Sequence, residues 1–277
     1  MITEALLEMR FFQPLVEHFR ALYGGNFLTL LKPSPQQEAW VGFDQGWVRT
    51  TVTTDRLLQE LRRSIQTKTS LVNDFYLGFF LQFKVVDRMV RRSKVIPDNY
   101  VTPYLRVALS LEPNHRTGLS QHETLLRLVN VVNASVYYTC PMLFDIADIW
   151  RVPALEDLRF VGIRTAPSGW ATNQQHYIMF QEETDLEPIW KSDPVKTKSF
   201  SVKEWSDPTN ESAPRRLSGE QLAQLINTSV GIVLEAGGKR LMREIREFKE
   251  PITQFIPPAF TIMRFRGPNN KPDGIRR

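Results

Sequence analysis

Glu38, Asp44, Gln82 and Lys84 have the side chains this sequence could use to handle charge: two carboxylates, a neutral amide and an ammonium. Glu38 and Asp44 are separated by a helix-to-strand junction, so the two acids can converge. Gln82 and Lys84 end the run FYLGFFLQFK, residues 75–84, whose aromatic enrichment and lack of helical periodicity predict a strand buried on both faces. Side chains alternate along a strand, so Gln82 and Lys84 project together while Phe83 points into the opposite layer. Burying a lysine stem is costly without a purpose. Snorkelling at the strand end is the plain alternative. Arg88, Arg91, Arg92 and Lys94 follow directly. A charge cluster is usually a solvated face, but this one stands beside the four residues and is placed to meet phosphates.

The elements that position these groups are legible in turn. Apolar residues at three- and four-residue intervals from Leu6 to Leu22 predict an amphipathic helix over residues 3–23, stopped by Gly24-Gly25. An extended segment over 26–31 follows. Ser34, Pro35 and Gln37 then read as a cap, first turn and return partner for a short helix carrying Glu38, and residues 43–48 as the strand or hairpin that carries Asp44. Thr54 and Asp55 open a helix to Gln66. Beyond the central strand, 103–109 reads as a strand. Ser120 and Glu123 form a capping box for a helix to Asn133, which feeds a strand over 134–139 stopped by Pro141. Short strands are expected at 160–164 and 176–180, with a helical turn or two at 144–149.

His18, alone in the first helix, reads as a surface or boundary residue, while His115 and His122 lack a second His or Cys at zinc spacing and read as surface residues, with capping or phosphate contact as the lesser alternative. Gly237-Gly238-Lys239-Arg240 lacks the spacing and preceding strand of a phosphate-binding loop. The division expected is an α/β domain over 1–183, a flexible loop or linker over 184–216, rich in Pro, Ser, Asp, Lys and Thr, and a helical appendage with a basic tail over 217–277.

Composition bounds the rest. A chain of 277 residues with 42% hydrophobic content can bury a substantial core. A net charge of +5 is compatible with a polyanionic partner. The single cysteine, Cys140, excludes an internal disulfide and a cysteine-built zinc site and fits a reducing compartment. No run approaches the ~20 apolar residues of a membrane span. A cytoplasmic protein is expected.

Glu38 on a helix, Asp44 at a junction and Gln82-x-Lys84 ending an apolar strand together resemble the PD-(D/E)XK nuclease superfamily, in the Mrr-type variant where Gln replaces the second acid. The resemblance covers residues 33–141. It implies a restriction-endonuclease-like α/β core, a central mixed sheet flanked by helices, and hydrolysis of DNA phosphodiesters in restriction or anti-phage defence. Carried over, Glu38, Asp44 and Gln82 would ligate Mg²⁺ or Mn²⁺ and Lys84 would be the catalytic cation. DNA is the implied partner, with a homodimer or a subunit of a defence complex as the assembly. The chemistry needs these types, because a hard divalent cation on carboxylate oxygens neutralises developing phosphate charge and a lysine adds a compact point charge. The helix at 55–66 departs from the family pattern and makes Asp74 a rival second acid. Asp74 and Gln82, however, fall at opposite ends of one strand, roughly 26 Å apart. A non-catalytic nucleic-acid-binding or scaffolding subunit that keeps the fold is the competing expectation.

Overall fold

The computed structural model describes residues 2–23, 28–33, 44–49, 75–94, 96–110, 112–113, 119–132, 135–167, 175–191, 195–206, 216–218 and 260–265. In chain order these form α1 (Glu4–Tyr23), β1 (Leu28–Pro33), β2 (Gln45–Arg49), β3 (Phe75–Phe83), β4 (Asp87–Met89), β5 (Tyr104–Leu109), α2 (Gln121–Val132), β6 (Ser135–Pro141), β7 (Leu158–Gly162), β8 (His176–Phe180), β9 (Ile189–Lys191), β10 (Val195–Lys196), β11 (Ser199–Phe200), α3 (Val202–Ser206), β12 (Arg216–Ser218) and β13 (Phe260–Phe265). Short 3-10 turns lie at Ile146–Trp150, Leu155–Asp157 and Ile163–Thr165.

The central strand predicted from FYLGFFLQFK is β3, and the main sheet is arranged around it. Its order is β11-β7-β6-β3-β2-β1-β13, with β12 pairing the first residues of β3. β2 runs antiparallel to β3, Gln45 opposite Leu81, while β6 runs parallel to it, Gln82 opposite Tyr138. The start of β2 and the ends of β3 and β6 therefore meet at one end of the sheet. The mixed sheet and its helices make the chain α/β. A second, wholly antiparallel sheet has the order β10-β9-β8-β5-β4.

Alternation divides the main sheet into two faces. Trp47, Leu81, Phe83, Tyr137 and Phe160 face one way and pack with Leu7, Phe11, Leu15, Val16 and Phe19 of α1. The predicted apolar stripe of the first helix is thus the buried one. Tyr138 points the other way, toward α2 and Trp190 of the second sheet. The predicted capping box holds α2 in place: Ser120 N donates to Glu123 Oε2 at 2.7 Å, and Glu123 N donates to Ser120 Oγ at 3.1 Å.

Several boundaries differ from the sequence reading. β6 does not stop before Pro141 but includes Cys140 and Pro141, which face Arg159 and Leu158 of β7. A terminal strand position tolerates proline. The expected strand at 160–164 begins at Leu158 and turns into a 3-10 helix after Gly162. The stretch 184–216 departs further from its expected form as a linker. Its described part contributes β9, β10, β11 and α3, with Trp190 and Trp205 fully buried. The Trp205 ring stacks on Phe160 at 4.6 Å and meets Phe19 and Tyr137 edge-on. Two tryptophans outweighed the polar residues around them. The described parts of the expected C-terminal appendage, β12 and β13, are strands of the main sheet, β13 pairing with β1. The helices expected around Glu38, over 55–66 and over 239–250, together with Asp74 and His115, lie outside the described residues; of the helix expected over 217–234 only Leu217 and Ser218 are described, and they belong to β12 instead. No helix among the described residues is long and apolar enough to cross a membrane.

Because Trp205 fills the core between α1 and the sheet, Trp205→Ala should destabilise the protein by about 3–5 kcal/mol in a denaturant melt. A linker tryptophan would leave the midpoint unmoved.

Candidate active site at the end of the central strand

At the junction of β2 and β3, Asp44 precedes the first residue of β2 and sits opposite Gln82. The backbone continues the ladder past the strands, with Asp44 N donating to Leu81 O at 2.9 Å and Lys84 N donating to Thr139 O at 2.9 Å. The Asp44 carboxylate is buried, and its Oδ2 accepts from Gln82 Nε2 at 3.0 Å and from Phe83 N at 2.7 Å. Gln82 is fully buried. Its amide nitrogen also donates to Phe83 O at 3.2 Å, and its Oε1 has no hydrogen-bond partner among the described residues. A buried amide oxygen left unsatisfied is a cost that native proteins rarely carry.

Lys84 is 4% exposed and extends to a different set of groups. Its Nζ donates to Glu4 Oε1 at 2.9 Å and to Gln121 Oε1 at 2.8 Å. Glu4 lies in the first turn of α1 and Gln121 opens α2, so the N-terminal turns of both helices converge on one ammonium. A second polar chain runs beside them: Trp47 Nε1 donates to Gln45 Oε1 at 3.0 Å, and Gln45 Nε2 donates to Glu8 Oε1 at 3.1 Å.

The electrostatics of neighbouring groups report the same convergence. Burial pushes the Cys140 thiol up to about 12, with the nearby Lys84 charge opposing and Glu4 reinforcing that shift. The Tyr138 hydroxyl is pushed well above its ordinary value by burial, then by Cys140 and Glu4. Tyr138 is bonded to His122, whose Nδ1 lies 2.8 Å from the hydroxyl, the two rings stacked. His122 is buried, which corrects its reading as a surface residue. Its ring packs against the Tyr138 ring, 6.0 Å away, and the Trp190 ring, 6.3 Å away. Burial and the adjacent His176 lower its pKa to about 4.

The structure thus brings Asp44 and Gln82 into direct contact, while Lys84, two residues on, turns its ammonium to Glu4 and Gln121, and Glu38 lies outside the described residues. Among the described residues no three His, Cys, Asp or Glu side chains gather as a metal-binding group. Arg88, Arg91, Arg92 and Lys94 are exposed. Arg88 stacks over the Phe144 ring at 5.9 Å, and Arg92 lies 3.8 Å from Asp98 in a pair too solvated to hold either rigidly. Glu4 and Gln121 escaped the sequence reading. Glu4 looks like an ordinary acid in a first helical turn, and 80 residues separate it from Lys84. Gln121 was hidden inside a capping box that fully explained its neighbours.

No protein-family model matches the chain, and no curated protein or solved structure matches it significantly.

His122 titrates in the fold near 4 against an ordinary 6.5, so folding favours its neutral form. The stability this contributes is present above pH 6.5 and is lost as pH falls through 4, a change of about 3 kcal/mol. Urea melts across this window should show a steeper loss in wild type than in His122→Asn, which keeps a hydrogen-bonding group near Tyr138. Equal slopes would place the acid-sensitive group elsewhere.

Proposed function

We propose that the chain is a metal-dependent nuclease that hydrolyses phosphodiester bonds of DNA, with its active site at the end of β3. The observation that carries this reading is that a carboxylate, an amide oxygen without a hydrogen-bond partner among the described residues, and the buried lysine two residues further on all belong to the carboxyl end of a parallel strand pair and the strand start that faces it. Ligand sites in open α/β sheets favour that end. The resemblance of Asp44 and Gln82-x-Lys84 to the PD-(D/E)XK pattern points the same way. Restriction or anti-phage defence, and action as a homodimer or within a defence complex, follow from the resemblance alone.

The residues present suit Mg²⁺ or Mn²⁺ in donor chemistry. Asp44 and the unsatisfied Gln82 Oε1 are oxygen donors on adjacent strands, and hard cations take oxygen ligands. Asp44 and Gln82 would hold the ion, with Glu38 as the acid that the resemblance adds. A bound divalent cation would supply charge neutralisation at the phosphate and acidify a bound water. Lys84 contributes a positive charge fixed before substrate arrives. Glu4 and Gln121 orient its ammonium by two acceptors, so little reorganisation is needed as charge develops on the phosphate. Arg88, Arg91, Arg92 and Lys94 hold the backbone of the nucleic acid by charge, independent of sequence.

One feature favours a second reading, a non-catalytic nucleic-acid-binding or scaffolding subunit. Asp44 and Lys84 already have protein partners at short range, as groups in a purely structural network would.

Lys84→Ala separates the two. Glu4 is 41% exposed on its side chain, so its carboxylate can take up water once the ammonium is gone. The variant should stay folded in a thermal melt while cleavage of plasmid in Mg²⁺ or Mn²⁺ falls by about 100-fold or more. Cutting at the wild-type rate by the folded variant would overturn the assignment.

Asp44→Ala should behave differently, because it leaves the Phe83 N–H and the Gln82 amide without their acceptor, at about 1–3 kcal/mol each. Asp44→Asn retains one acceptor oxygen and should fold. Millimolar Mg²⁺ or Mn²⁺ should raise the melting temperature of wild type and not of Asp44→Asn. Equal shifts would remove Asp44 from the metal site.

A further inference from the structure

Trp150 is 86% exposed and Val152 88%, in a protein that buries Trp47, Trp190 and Trp205 completely. The backbone that carries the exposed indole is tied down. Trp150 ends the 3-10 turn Ile146–Trp150, which opens with a reciprocal cap between Asp145 and Asp148. Arg151 pairs with Asp148 at 2.7 Å. From α1, the Arg10 guanidinium donates to Asp148 O at 2.9 Å and also to the carbonyls of Ile149 and Arg151. Three carbonyls of one turn thus bind a single side chain of another element. That anchors the turn and leaves the ring in solvent.

The location connects this ring to the proposed active site. The turn leaves the end of β6, which lies beside the end of β3 where Lys84 N bonds Thr139 O. Arg10, the anchor of the turn, is six residues from Glu4, the partner of Lys84, or about 9 Å along one helix. The basic run reaches the same place, because Arg88 stacks over Phe144, whose N donates to the Asp148 carboxylate at 3.0 Å.

We propose that Trp150 is a stacking platform for an unpaired nucleobase of the strand whose phosphates meet Arg88, Arg91, Arg92 and Lys94. This rests on the nuclease reading in one respect, that the bound polymer is nucleic acid. Base stacking needs one aromatic plane and tolerates any base, and it acts together with cations that track the backbone. A stable protein interface instead needs roughly 20–30 residues on each side. Among the described residues the exposed large apolar side chains are Met9, Val90, Val101, Ile146, Trp150 and Val152, well short of that number. The platform would select single-stranded or locally opened nucleic acid over intact duplex, since a paired base has no face to offer.

The test is fluorescence anisotropy with a labelled 20-nucleotide single strand, the matching duplex, and the duplex carrying a single-stranded extension, each as DNA and as RNA. Trp150→Ala should weaken binding of the single strand and the extended duplex by about 5- to 100-fold and that of the blunt duplex by less than about twofold. Trp150→Phe should recover most of the loss. The salt dependence of binding should be the same in wild type and Trp150→Ala, because the ring releases no counterions. An unchanged single-strand affinity in Trp150→Ala, with wild type still binding nucleic acid, would overturn the platform and leave the nuclease reading standing. Failure of wild type to bind any of the probes would overturn both. A self-association seen by light scattering that Trp150→Ala abolishes, with nucleic-acid affinity intact, would assign the indole to a protein interface and overturn the proposal.

Discussion

The buried ammonium of Lys84 is a charge that the surrounding elements must compensate. A charge taken out of water costs several kcal/mol unless paired and hydrogen-bonded. Lys84 is paired by Glu4 and hydrogen-bonded by Gln121, which come from different helices on different sides of the sheet. To satisfy one side chain, the first turn of α1 and the first turn of α2 must both reach the end of β3. Helix N-termini carry partial positive charge, so bringing two of them to a lysine adds to the repulsion there. The Glu4 carboxylate offsets it and completes the arrangement. The apolar packing of α1 against Trp47, Leu81, Phe83 and Phe160 then fixes the helix in the position that Glu4 needs.

Much of this was legible in the sequence because it is local. The stripe of the first helix, the apolar run of β3, the strands at 104–109 and 176–180, and the Ser120–Glu123 cap all depend on periodicity or spacing within a dozen residues. Asp44 and Gln82 were joined in the sequence only by the family resemblance; they meet because the head of β2 and the tail of β3 lie opposite each other in an antiparallel pair. The polar surroundings of Lys84 were not legible, since no local pattern relates residues 4, 84 and 121. His122 was misread for a related reason. It is polar and stands in a capped first turn, where exposure is the ordinary outcome, and only the approach of Trp190 from the second sheet buries it. Composition misled at 184–206, where Pro, Ser and Lys suggested a linker although Trp190 and Trp205 each supply enough apolar area to hold a short strand or helix in the core.

A purely structural account of the polar cluster meets a difficulty at Gln82 and Lys84. The registers of β2 with β3 and of β3 with β6 are set by backbone ladders and by apolar alternation, both of which continue through Asp44 N and Lys84 N without help from these side chains. Apolar residues of similar volume at 82 and 84 would keep those ladders, and replacing buried charged groups in this way is often neutral or stabilising. The chain instead carries an amide whose oxygen has no partner among the described residues and an ammonium whose charge and hydrogen bonds are met from two other elements. Sites that keep a locally costly arrangement where a cheaper one exists are those where function sets the residue. The proposed hydrolytic role accounts for all three side chains at once, since an oxygen donor without a partner among the described residues, a carboxylate beside it and a fixed positive charge are what a divalent cation and a scissile phosphate would use.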